Sequence, residues 1–103
     1  MLFTNTERFH FAKDPAVIHF GDTYFLYYTI LYVPEPNFKI GVGIATSKDM
    51  ENWTLAGEIP LEQECEMNGL GAPAAIVLDG KVHLFYQTYG NWRRDAICHA
   101  ISE

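Results

Sequence analysis

Residues 13–28 read KDPAVIHFGDTYFLYY, and residues 71–86 read GAPAAIVLDGKVHLFY. Laid one under the other without gaps, Pro15 meets Pro73, Ile18 meets Ile76, Leu26 meets Leu84 and Tyr28 meets Tyr86. Each stretch holds two short runs rich in β-branched and aromatic residues, the composition of strands. A two-residue turn signal divides each pair of runs. Gly21-Asp22 separates AVIHF from TYFLYYTIL, and Asp79-Gly80 separates AAIVL from KVHLFYQTY. Asp-Gly is among the strongest hairpin signals, because both residues tolerate positive φ. Helices are disfavoured by runs this short and this often interrupted.

A third strand follows in each copy. GVGIATS (41–47) matches DAICHAIS (95–102), setting Ala45 on Ala100 and Ser47 on Ser102. The first copy continues through SKDMENW into a fourth strand, TLAGEI (54–59). The unit is an antiparallel four-stranded meander that recurs, the signature of a propeller blade. The residues Tyr24-Phe25-Leu26-Tyr27-Tyr28 are apolar on both sides of the pleat. A sheet with one wet face alternates apolar and polar, so both faces are expected to be covered. Blades stacked between neighbours achieve that, and one blade alone does not. The fold class is therefore all-β, with blade one at about residues 9–60 and an incomplete blade two at about 61–103.

Composition narrows the partners. Hydrophobic residues make up 49% of the 103, which fits a globular chain and not a disordered one. The formal charge is −6 with no run of Lys or Arg, which argues against nucleic acid or an anionic membrane as partner. No stretch approaches the ~20 apolar residues of a membrane-spanning helix. Met1-Leu2-Phe3-Thr4-Asn5 lacks the basic flank and long apolar region of a signal peptide. Cys65 and Cys98 match no metal or redox spacing, and Cys98 within AICHAI reads as a buried thiol, with a disulfide left open. No metal site or cofactor is expected. Propellers usually hold 4–8 blades. One complete blade and three strands of another leave apolar faces uncovered, so the remaining blades of a longer chain, or copies in a homo-oligomer, are expected to cover them.

The segments KDPAVIHFGDTYFLYYT, GIATSKDMENW and GAPAAIVLDGKVHLFYQTYG together resemble the first two blades of the five-bladed propeller glycoside hydrolases. Those are family 43 and its relatives in families 32, 68 and 117. In that group an Asp-Pro pair opens the innermost strand of blade one. An S-x-D-x-x-x-W turn, here Ser47, Asp49 and Trp53, links strands three and four, and an Ala-Pro pair opens blade two. The resemblance runs from Phe9 onward. It implies a carbohydrate substrate and a catalytic role for Asp14, as general base in inverting members or nucleophile in retaining ones. Glycoside hydrolysis needs two carboxyl groups, and the resemblance places the others in blades beyond Glu103. One departure is Ala74, where many family 43 members carry Asp.

The repeat itself singles out Asp14, because its twin is Ala72. What the two inner strands share belongs to the fold, and what differs is a candidate for function. Against this, Asp before Pro is also an ordinary turn starter. The loops expected at the Asp14 end are LYVPEPNFK (31–39), EQECEMNGLG (62–71) and TYGNWRRD (88–95). There His10, Glu66, Trp92 and Arg93 are the candidate substrate contacts. Tyr32, Phe38 and Tyr89 are further aromatic platforms for a sugar ring, or blade-packing residues. A guanidinium at Arg93 or Arg94 suits an anionic sugar through its fork of donors, or is simply solvated. His19, His83 and His99 lie inside strands and read as core histidines; Trp53 is expected between blades and Asp49 on turn amides. Three readings of the whole follow: part of a glycosidase, a non-catalytic carbohydrate-binding or assembly module with a truncated propeller, or a β-rich interaction domain.

Overall fold

The computed structural model describes residues 3–6 and 8–102. Four strands form the first sheet: β1 (Lys13–Phe20), β2 (Thr23–Val33), β3 (Lys39–Ser47) and β4 (Thr54–Glu58), in the order β1-β2-β3-β4. Three form the second: β5 (Leu70–Leu78), β6 (Lys81–Thr88) and β7 (Ile97–Ile101), again in chain order. All pairings are antiparallel. The chain is all-β, as the repeat indicates, with two meanders set side by side. The turn chemistry is visible in the backbone. Asp79 (φ 52°) and Gly80 (φ 72°) both take positive φ, as a type I′ hairpin requires.

The two sheets pack through their faces, and β5 lies against β1, β2 and β3. Strand alternation decides which side chains meet there. Tyr27 and Val42 from the first sheet join Leu70, Val82, Leu84 and Tyr86 from the second in one buried cluster, the seam between blades. On the opposite face of the first sheet, Leu26, Tyr28, Ile30 and Ala45 form a second cluster. The two-sided apolar run in β2 therefore serves two different packing layers, as its sequence indicates.

Trp53 packs on the second cluster, on the side of blade one turned away from blade two. Its ring meets Phe3 edge-on at 6.4 Å, and Phe3 meets Tyr28 at 5.0 Å. The histidines of blade two depart from their expected place. His83 and His99 sit on the face of the second sheet that does not meet the seam, where His83 Nδ1 and His99 Nε2 share a hydrogen bond at 3.0 Å. They satisfy each other instead of lying in the core.

At the β3–β4 turn, Asp49 accepts bonds from the amides of Glu51 (2.9 Å) and Asn52 (2.8 Å). The Ser47 hydroxyl accepts from the Met50 amide at 2.8 Å. These bonds close the S-x-D-x-x-x-W turn from within, and the amide bonds hold the Asp49 carboxyl far below the usual carboxylate range.

Candidate functional site

Strand register gathers the site. Lys13 faces Thr29, Val33 faces Lys39, and Leu70 faces Thr88. The start of β1, the end of β2 and the start of β5 therefore share one end of the molecule with the loops that follow β2 and β6. Both inner strands are kinked at the same repeat position, with register shifts between Lys13 and Ala16 and between Gly71 and Ala74. Asp14 (φ 55°) and Ala72 (φ 50°) occupy these kinks in the left-handed region. Asp tolerates that conformation because its short polar side chain bonds locally, whereas Ala has no such compensation.

Thr29 ties the two kinks together. Its hydroxyl donates to Asp14 Oδ2 at 2.9 Å and accepts from the Ala72 amide N–H at 2.9 Å. Thr29 is 2% exposed, while Asp14 is exposed. One carboxylate oxygen is thus held by a buried hydroxyl at the junction of the inner strands, and the side chain as a whole opens to solvent. Close approach continues beside it. Gly71 has no Cβ, and the space one would need is taken by Ile40 and Tyr89, with the Thr29 methyl 3.4 Å away. Of the aromatic platforms in the sequence reading, Tyr89 thus lies beside this junction. Tyr32 instead lies over Gly41 on β3.

The other candidates are placed differently. His10 is exposed at the end of the kinked segment Arg8–His10, where Phe9 (φ 65°) and His10 (φ 57°) both take positive φ, ahead of β1. Trp92 (85% exposed) and Arg93 stand on the 3-10 turn Trp92–Arg94 in the loop after β6, open to solvent. Glu66 is 5% exposed, and its Oε1 accepts from the Glu62 amide at 2.9 Å. That carboxylate closes its own loop and lies toward the seam, where it acts on Tyr86 and Cys98. Burial first, and then the Glu66 charge, push the Tyr86 phenol up to about 12 and raise the Cys98 thiol above its ordinary value.

The two blade-two loops are sewn together. Asn68 Nδ2 donates to Asn91 Oδ1 at 2.9 Å and Asn91 Nδ2 donates to the Cys65 carbonyl, while Asp95 Oδ1 accepts from Thr88 Oγ1 at 3.1 Å within the loop after β6. They border an open groove of about 710 Å³ lined by Glu64, Met67, Asn68, Asn91 and Arg94 among others. The sequence reading missed Thr29 and the Ala72 amide. The one available signal was a hydroxyl residue inside the otherwise apolar run YFLYYTILYV.

No protein-family model matches the sequence, and no curated protein does. Solved structures do. The fructan 1-exohydrolase IIa of Cichorium intybus superposes with a TM-score of 0.70 at 22% identity, over 87% of this chain and 18% of that one. The arabinanase Arb43A of Bacillus subtilis gives 0.67 at 24% identity, over 87% and 32%. A family 117 glycoside hydrolase from the marine bacterium Zobellia galactanivorans gives 0.67 at 23%, over 88% and 34%. The architecture is thus that of a part of the propeller glycoside hydrolases, as the sequence resemblance indicates. The chain spans 18% to 34% of the length of these three structures.

Proposed function

We propose that this chain contributes the first two blades of a family 43-type glycosidase acting on an oligo- or polysaccharide, with Asp14 as general base or nucleophile. The observation that carries this reading is the Thr29–Asp14 hydrogen bond at the meeting point of the inner strands. A carboxylate in service as base or nucleophile needs a fixed orientation and an open side, and a buried donor on one oxygen supplies the first. The acid that protonates the leaving oxygen comes from another blade, because Glu66, the buried carboxylate of the blade-two loop, is turned to the seam. His10, Trp92 and Arg93 remain candidate sugar contacts on exposed segments around the same end. No cofactor is required by this chemistry.

The experiment compares this chain and a downstream-extended polypeptide on a panel of nitrophenyl glycosides, each with an Asp14→Asn variant. Turnover in the extended form that falls about 10²–10⁴-fold in the variant supports the assignment. Turnover indifferent to Asp14→Asn removes it. Saturable sugar binding with no turnover in either length identifies a carbohydrate-binding module instead.

A further inference from the structure

The repeat defines which blade faces fit each other. At the seam, blade one presents Ile18, Phe20 and Phe25 around buried Tyr27. The residues 58 positions later are Ile76, Leu78, His83 and Phe85, and these form the uncovered face of blade two. That face is strongly apolar: Ile76 is 53% exposed, Leu78 52%, and Ile97 on neighbouring β7 73%. Conversely, blade two presents Ala75, Leu84 and Tyr86 to the seam. Their counterparts 58 positions earlier are Val17, Leu26 and Tyr28. These line a groove of about 350 Å³ on the outer side of blade one, together with Pro15 and Trp53. The molecule therefore leaves one such surface open on blade two, and on blade one a groove open at Val17, 45% exposed, beside Leu26 and Tyr28, which Phe3 and Trp53 already partly cover.

We infer that a second copy of this chain docks head to tail, its blade-one groove on the open blade-two face, repeating the seam between molecules. The contact is heterologous, because the two surfaces differ, and such contacts close into rings or run into filaments. Two copies supply four blades and three supply six, both within the 4–8 of known propellers. Four seam positions differ in the repeat: Leu78 stands for Phe20, His83 for Phe25, Phe85 for Tyr27 and His99 for Ile44. The hydrogen bond between the two histidines and the stacking of His99 on Phe85 at 4.3 Å give the polar pair internal partners. The inference uses neither Asp14 nor sugar chemistry and concerns the 103-residue chain by itself; further blades on the same polypeptide, as in the proposed function, would cover the same two faces.

The test is the mass of the 103-residue chain in solution by sedimentation velocity, over about 1–100 µM. Two variants at exposed positions each block one surface: Ile76→Glu on blade two and Val17→Glu on the groove. The wild-type mass is expected to rise at least twofold with concentration, and each variant alone to stay at one chain. Mixed in equal amounts, the variants are expected to form a one-to-one dimer, because each retains the surface the other needs. Contact between identical faces predicts no such rescue, so a mixture that stays at one chain overturns the inference. A wild-type chain that stays at one-chain mass overturns it too, and leaves the faces to further blades of the same polypeptide. Circular dichroism matching the wild type confirms that both variants are folded.

Discussion

Asp14 and Ala72 hold the same place in successive repeats and the same left-handed backbone, at φ 55° and 50°. The kink is thus a property of the blade, and the carboxylate is an addition to one copy of it. Left-handed φ costs an ordinary residue about 1–2 kcal/mol, and glycine escapes that cost while losing some to chain entropy. Ala72→Gly is therefore expected to stabilise the chain by about 0.5–1 kcal/mol. A urea midpoint that shifts downward would show that the Ala72 methyl packs more usefully than its backbone is strained.

Thr29 has more to lose. Its hydroxyl satisfies the Ala72 amide and holds Asp14 Oδ2. Thr29→Val keeps the shape, strands the amide and frees the carboxylate. The expected destabilisation is about 1–3 kcal/mol, the cost of a buried polar group left without its partner. Asp14→Asn keeps an oxygen acceptor and a residue type that tolerates left-handed φ, so its cost is expected to be much smaller. Denaturant unfolding of both variants checks the ranking. Equal losses would mean that the carboxylate, and not the hydroxyl, organises the junction.

The strands, both hairpin turns and the two-sided burial of β2 were legible because they depend on local pattern. The unbroken apolar run through Leu26-Tyr27-Tyr28 already says that two faces must be covered. The kinks at Asp14 and Ala72 were not legible, since neither Asp-Pro nor Ala-Pro announces positive φ. Nor was the reach of Thr29 to Ala72, which spans 43 positions and depends on how one sheet lies on the other. Trp53 shows the same boundary. Its turn was predictable from Ser47 and Asp49, but its edge-on contact with Phe3, distant in sequence, was not. Glu66 reads as a loop acid in sequence, and only the packing of its loop turns it inward.

Tyr86 makes the seam sensitive to alkali. Its phenol is pushed up to about 12, mainly by burial and then by the Glu66 charge. A raised value means that the folded chain holds the proton more tightly than the unfolded one. This contribution is complete below the ordinary tyrosine value of 10.0 and is lost as pH rises through about 12. Tyr86→Phe keeps the ring and removes the titration. Its melting temperature is expected to fall less steeply than that of the wild type across this window. Parallel curves would show that Tyr86 ionises freely in the folded chain.

Asp49 sets the opposite dependence at the far end of blade one. The amides of Asn52 and Glu51, then the Asn52 side chain and Ser47 hydroxyl, hold its carboxyl far below the ordinary value of 3.8. The folded state therefore favours the charged form, and the stabilisation is present above the ordinary value. It is lost as pH falls below that value toward the depressed one. Asp49→Ala removes the acceptor and leaves the turn amides to water. The melting temperature of the variant is expected to lie below that of the wild type at about pH 7, with the gap narrowing at about pH 2.5. A gap that is the same at both would mean that the turn is held by Ser47 and backbone geometry, with the carboxylate incidental.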